Sequence, residues 1–416
     1  MPEVDSHFRS DIAGFSPLEL TRELGTPLYV YDASIIAKRL AELDRFDTVR
    51  YAQKANDNGF LLRWLKERGL WVDAVSAGEL DHALSLGFPA QGTPHPIVFT
   101  ADVFEREALR RVGETGVHVN CGSADMIEQL ATVRSGGELT LRINPGFGHG
   151  HSRKTNTGGE WSKHGIWHEE APAVVDRARA AGFEVTGIHV HIGSGTDPEQ
   201  LRRIGSAIEQ IGRSLEAPLD TVSVGGGLPV PVFPGDPDVD IRAYSDHCLA
   251  SRDRLSKSLG RPLRIEIEPG RRLVAEAGTL LTEILAIKRT GRQLFYLVDA
   301  GFHTLVRSAM YGAKHPIRLA GPERATEIEP TVVAGPLCES GDVFTQDSQG
   351  VVEPVPLPRA QVGDLLAIEV VGAYGFSMAS SYNAHGRPAE VWIENGTMRT
   401  IRSRQSTADL FRDELL

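Results

Sequence analysis

From residue 48 onward the chain alternates two kinds of apolar block. Short, nearly continuous apolar runs at 48–53, 70–75, 97–100, 117–119, 139–143, 185–192, 221–224 and 263–267 read as buried strands. Between successive runs lie segments with helical spacing of apolar positions, at 59–68, 77–86, 103–112, 124–133, 169–181, 198–215 and 241–259. Turn and cap residues separate the blocks, as in Asn56-Asp57-Asn58-Gly59. Strand–helix alternation repeated eight times over about 250 residues predicts a (β/α)8 TIM barrel, with a doubly wound parallel sheet as the lesser alternative.

After about residue 280 the pattern changes. Short strands at 284–287, 294–298, 331–334, 365–370, 390–393 and 398–401 are divided by Gly, Pro and Asp, which predicts an all-β sandwich-like or barrel-like second domain. A strand at 27–31 precedes the barrel and is able to join it. Two domains also suit 416 residues, too many for one ordinary core. Apolar content of 41% and charged content of 24% are those of a soluble globular protein, and a net charge of −11 argues against nucleic acid or an anionic membrane as partner. No apolar run is long enough to span a bilayer, and the acidic, polar start is unlike a signal peptide. Cys121, Cys248 and Cys338 are far apart and form no disulfide framework, which suits a reducing cytoplasm.

A barrel of this kind builds its active site at the C-terminal ends of its strands. The first strand ends in Lys54, the second at Asp73 and Ser76, and the fifth at Arg142 and Asn144. The sixth ends in His189-Val190-His191-Ile192-Gly193-Ser194, the seventh in Gly225-Gly226-Gly227 and the eighth in Glu266-Ile267-Glu268-Pro269-Gly270-Arg271. Polar residues thus gather at one rim, and the strand interiors read as apolar. Taken singly, a strand-end lysine is more often a surface residue, a glycine triplet a turn and a lone histidine structural. Taken together they suit one ligand. A desolvated Lys54 would supply a neutral amine that attacks an aldehyde. The glycines would let backbone N–H groups approach a phosphate, joined by Ser194 and Arg271. His191 offers a face to a planar ring, and Glu268 a carboxylate to a ring nitrogen. Pyridoxal 5'-phosphate matches this set, with Lys54 making the Schiff base.

The chain here resembles the fold-type III pyridoxal phosphate-dependent decarboxylases, diaminopimelate decarboxylases above all. The resemblance runs over nearly the whole length, in YAQKAN at Tyr51, VDAVSAGEL at Val72, RINPGFGHGHSRKTNTGGEWSKHGIW at Arg142, HVHIGSG at His189, VGGGL at Val224 and EIEPGR at Glu266. VDAGF at Val298, AGPLCESGDVF at Ala334 and GAYGFSM at Gly372 continue it in the β domain. It implies that Lys54 carries the cofactor and that Glu268 faces the pyridine nitrogen. Asp73, Ser194, Gly225 to Gly227, Gly270, Arg271 and Tyr374 fall among the cofactor-binding positions, with His191 on the ring. Arg271, Arg307, Tyr311, Glu339 and Tyr374 match substrate-contacting positions, and Cys338 matches the proton donor. It also implies a homodimer in which Cys338 and Glu339 reach the partner's site. The N-terminal segment then belongs to the β domain, dividing the chain into a barrel at 27–280 and a β domain of 1–26 with 281–416.

The activity so implied is decarboxylation of meso-diaminopimelate to L-lysine and carbon dioxide, the last step of lysine biosynthesis. A distal carboxylate calls for a guanidinium, here Arg307, and a distal amine for a carboxylate, here Glu339. Relatives commonly have Arg-Pro where this chain has Arg307-Ser308, and Ser-Arg after Tyr-Asn where it has Ala384-His385-Gly386 after Asn383. Decarboxylation of a related diamino acid in a secondary-metabolite pathway is therefore the alternative. A racemase of the same barrel type would hold the ring nitrogen with arginine, against which Glu268 and the Cys338-Glu339-Ser340-Gly341-Asp342 segment argue. A cofactor-free binding protein would lack Lys54, Glu268 or Cys338. His149, His151, His164 and His168 have no carboxylate or thiol at ligand spacing, so no metal is expected.

Overall fold

The computed structural model describes residues 7–150, 155–195 and 197–415. His151 and the rest of 151–154 lie outside the described residues. Two compact units emerge: the first comprises the chain up to Lys38, Pro231–Pro237 and Leu273–Leu416, and the second Arg39–Val230 with Asp238–Arg272.

The second unit is the barrel. Its strands are β1 (Thr48–Ala52), β2 (Trp71–Ala74), β3 (Ile97–Ala101), β4 (His118–Cys121), β5 (Gly137–Asn144), β6 (Phe183–Val190), β7 (Thr221–Ser223) and β8 (Arg264–Ile267). All neighbours are parallel, β8 pairs with β1, and β5 stands between β4 and β6, so the sheet closes on itself. Helices follow where the cap residues foretell them. Asn58 Oδ1 accepts from Phe60 N at 2.9 Å to start Gly59–Lys66, and Ser76 Oγ accepts from Glu79 N at 3.1 Å to start Ala77–Ser85. Ser76, at the rim by sequence, is thereby used as a helix cap.

The strand interiors are not uniformly apolar. A cavity of about 20 Å³ inside the barrel is lined by Arg50, His118, Asn120, His189, Glu266 and Glu268 among others. Val119, Leu141, Val222 and Ile265 are fully buried or nearly so on the alternate positions. The alternation of the pleat sends apolar side chains outward under the helices and polar ones inward. Inside, Arg50 Nη2 contacts both Glu266 oxygens at 3.1 and 3.0 Å and Nη1 donates to His95 O at 2.6 Å.

The first unit is a β domain. Its long strand Gly278–Thr290 pairs with Gln293–Val298, Leu365–Glu369 and Leu28–Asp32. The strand Leu28–Asp32, which by sequence could have joined the barrel, instead lies between Gly278–Thr290 and Ala389–Glu394. Its apolar residues meet Leu281, Val391 and Ile393 in the domain core. The strand therefore belongs with the first unit, which runs up to Lys38 and resumes at Leu273, where the sequence suggested divisions at 26/27 and 280/281. Among the described residues no helix is long and apolar enough to cross a membrane.

Candidate active site

Lys54 sits in a single 3-10 turn, Gln53–Ala55, directly after β1. Gln53 and Ala55 are buried while Lys54 is exposed, so the amine is not desolvated by its own unit as the sequence suggested. The turn faces outward because its neighbours are packed: a Cβ on Gly270 would meet those of Ala55 and Ala52 at 3.1 and 3.3 Å, and Ala52 N donates to Pro269 O at 3.2 Å. Gly270 therefore seats the lysine turn against the Glu268-Pro269-Gly270 exit of β8.

Glu268 is 8% exposed. Its Oε1 accepts from Ser223 Oγ at 2.7 Å, and His189 Nε2 lies 3.0 Å from Oε2, off the axis of a good hydrogen bond. Burial opposes ionisation, but His189, the Ser223 hydroxyl and the Arg50 guanidinium outweigh it and hold the carboxyl well below the usual carboxylate range. The buried Asp73 moves the other way, pushed up by burial and then by the nearby Glu268 charge, and its Oδ1 has no hydrogen-bond partner among the described residues. Two neighbouring carboxylates are thus driven apart in protonation, Glu268 anionic and Asp73 biased towards its acid form.

His191 is partly buried and kept well below the ordinary imidazole value by burial first and by the Arg142 and Lys54 charges next. Its Nδ1 accepts from Gly226 N at 3.2 Å, which fits the neutral ring. Gly225 N likewise donates to Ser223 Oγ at 3.2 Å. Two of the glycine N–H groups expected to face a phosphate are thus taken by side chains. The glycines are needed for close approach: a Cβ on Gly226 would fall 2.3 Å from Glu268 O, and one on Gly227 2.1 Å from Gly193 O. Arg271 Nε and Nη2 both reach Ser194 Oγ, at 3.2 and 3.1 Å. A hydroxyl and guanidinium side by side, a glycine cradle, a neutral imidazole and an anionic carboxylate together fit a phosphorylated pyridine.

His189 and Ser223 were not singled out by sequence. The signal was present in His189-Val190-His191, since strand period two puts both histidines on one face, and their rings lie 6.4 Å apart. Among the described residues no group of three or more His, Cys, Asp or Glu is placed to hold a metal. His164 pairs with Asp102, and His149 Nδ1 accepts from Asp197 N.

Nearby Glu79 is pushed up to about 7, chiefly by burial and with the Asp73 charge adding. Its folded value lies above the unfolded one, so its stabilising share is whole at low pH and is lost as pH rises through about 7. Glu79→Gln keeps an acceptor for Val75 N and removes the ionisation. Melting curves will show the variant gaining on the parent between about pH 5 and pH 8. A constant offset across that range would contradict the assignment.

The β domain holds the other residues expected from the sequence. Arg307, 4% exposed, opens the helix Arg307–Tyr311, with its guanidinium 5.5 Å from the Tyr311 ring and 5.8 Å from the Tyr374 ring. Tyr374 has φ +57°, a strained value for a tyrosine, and lies between Gly372 and Gly375, whose added Cβ atoms would strike Val274 O and Val371 O. Ser308 donates to Ala313 O at 3.0 Å, so this departure from Arg-Pro is satisfied locally. Cys338 and Glu339 are exposed, and Cys338 N donates to Asn383 Oδ1 at 3.0 Å. The buried Asp342 braces the same turn by accepting from Phe302 N and Leu337 N at 2.6 and 2.8 Å.

Residues 33–275 match the family described as pyridoxal-dependent decarboxylase, pyridoxal binding domain. The diaminopimelate decarboxylase of Streptomyces coelicolor is 50% identical over 399 residues, covering 94% of this chain and 90% of the relative. The chain belongs to the diaminopimelate decarboxylase family. The diaminopimelate decarboxylase of Escherichia coli K12 is 48% identical, covering 98% of both chains. A crystal structure of a diaminopimelate decarboxylase superposes with a TM-score of 0.94 at 46% identity, covering 98% of each chain. The Helicobacter pylori diaminopimelate decarboxylase complexed with L-lysine superposes at 0.85 with 31% identity, covering 95% of this chain and 98% of that one. As a member of this family the chain is a pyridoxal phosphate-dependent amino-acid decarboxylase.

Proposed function

We propose that the protein decarboxylates meso-diaminopimelate to L-lysine and carbon dioxide, the closing step of lysine biosynthesis. The observation that carries the reading is the buried Glu268, held anionic by His189 and Ser223. A carboxylate in this state keeps a pyridine nitrogen protonated, which suits a decarboxylase and not a racemase. Pyridoxal 5'-phosphate, when bound, supplies the electron sink that accepts the bonding pair released with carbon dioxide.

The chain's own residues do the rest. Lys54 would hold the cofactor's aldehyde, and Ser194, Arg271 and Tyr374 its phosphate, with the Gly225-Gly226-Gly227 turn leaving room for it to approach. His191, in its neutral form, would offer its face to the ring, and Asp73 is the carboxyl neighbouring Glu268, which would meet the ring nitrogen. Arg271, Tyr311 and Tyr374 orient the substrate, Arg307 takes the distal carboxylate and Glu339 the distal amine. Cys338 would deliver the proton that replaces the lost carboxyl group. In the homodimer that this reading requires, the partner's β domain would complete the site. Three free cysteines among the described residues support a reducing compartment, the cytoplasm.

Carbon dioxide release from a panel of diamino acids tests the proposal. meso-Diaminopimelate will be turned over best, with lysine as product. A larger kcat/KM on ornithine or another diamino acid would replace it with the secondary-metabolite reading. Arg307→Ala will cost about 2–5 kcal/mol in kcat/KM on diaminopimelate, the cost of stranding a buried charge. The loss will be much smaller on substrates without a distal carboxylate. Equal losses on all substrates would assign Arg307 to structure or to the reacting end.

A further inference from the structure

We infer that Asp102 is a positioning residue for this reaction: with Arg142 and His164 it locks the end of the 155–165 excursion to the barrel rim, and this excursion, with 145–150, holds the backbone that carries His191 and Ser194. The contacts converge on one half-sheltered carboxylate just past β3. Oδ1 accepts from Gly165 N at 2.8 Å, while Oδ2 lies 2.5 Å from His164 Nδ1 and 3.5 Å from Arg142 Nη1. The Asp102 and Arg142 side chains are 16% and 9% exposed. Burial opposes the charge, yet His164, Arg142 and the Gly165 N–H together hold the carboxyl below its ordinary value.

The local sequence is shaped around this carboxylate. A Cβ on Gly122 would fall 2.1 Å from Asp102 Oδ1. Gly165 has φ +78°, and a Cβ there would fall 2.9 Å from Asn144 N. The upstream end of the excursion has its own tie, since Asn144 Oδ1 accepts from Gly146 N and Gly159 N at 3.1 and 2.8 Å.

Between these ties the excursion is stitched to the exit of β6. Ile192 O accepts from His149 N at 2.9 Å, Ser194 N donates to Thr155 O at 3.1 Å, and Thr157 Oγ1 donates to His191 O at 3.1 Å. Asn156 bridges Gly193. The backbone of His191 to Ser194 is therefore held from one side by the barrel and from the other by a segment whose return Asp102 secures. Asp102 also offsets the Arg142 charge, which bears on His191.

The consequence for the cofactor rests on the reading of His191 and Ser194 given above, and the test separates the two. Hydrogen exchange on the cofactor-free protein, as Asp102→Ala and as His164→Gln, reads the lock directly. Exchange at 155–165 and 191–194 will rise about tenfold over other barrel amides, the size of a coupling between contacting residues. Affinity for added pyridoxal 5'-phosphate, read by its absorbance, will fall by about the tenfold expected of an orienting shell. The double variant will lose no more than Asp102→Ala alone. Unchanged exchange in both variants overturns the lock. A uniform rise across the barrel with a matching fall in Tm makes Asp102 a stability residue and overturns the positioning role. His164, partly at the surface, keeps the test open should Asp102→Ala fail to fold. Ser194→Ala runs alongside. If it leaves cofactor affinity intact, the cofactor reading fails; if only Asp102→Ala leaves it intact, the inference fails.

Discussion

Lys54→Ala will abolish turnover. Borohydride will fix pyridoxal 5'-phosphate covalently on the parent protein and will not do so on the variant. The expectation follows from placement: the lysine stands on a turn seated by Gly270 against the exit of β8, whose Glu268 is anionic. An amine to capture the aldehyde and a carboxylate to meet the ring nitrogen are the minimum this chemistry requires, and the proposed function assigns them to Lys54 and Glu268. Loss of the nucleophile removes covalent capture altogether, so the fall in kcat will be several orders of magnitude, about the scale of losing a covalent catalyst. Covalent labelling that persists on another lysine would reassign the role.

Mixing Lys54→Ala with Cys338→Ala will restore activity that neither homodimer has. Cys338 is exposed within its own β domain, on a turn braced by Asn383 and Asp342, a placement that suits service to a second chain. In a two-fold dimer each chain lends the other the same surface. Random exchange gives about half hybrids, and each hybrid has one site with both Lys54 and Cys338, so activity will recover to about a quarter of the parent value. No recovery, with exchange confirmed by mass, would place Cys338 in the site of its own chain.

The sequence made the barrel legible because each strand and helix carries its own period, and all eight strands lie where the apolar runs are. It hid the polarity of the barrel interior, because in a strand as short as His118–Cys121 alternate inward positions are lost in the mean hydropathy. It also left open the fate of Leu28–Asp32. That strand looks like any buried parallel strand, and its partners, at 278–290 and 389–394, are more than 200 residues away in sequence. At the site, residue types were readable but their commitments were not. Nothing local reveals that Gly226 N is taken by His191 or that Lys54 is turned outward, because each depends on tertiary packing, whereas the Ser76 cap was there to be read in Ser76 with Glu79 three residues on. Asp102 and its pairing with His164 were missed for the same reason, 62 residues separating two groups that touch.

The Arg50–Glu266 pair inside the barrel constrains how this lineage can drift. Each charge is sheltered, 1% and 8% exposed, and answers the other. Replacing either alone leaves its partner stranded at a cost of about 3–5 kcal/mol. Replacing both removes the stranded charge but also the guanidinium that helps to hold Glu268 anionic. The two positions are therefore expected to change only together, and recombination that separates β1 from β8 will be tolerated only between parents that carry the same pair.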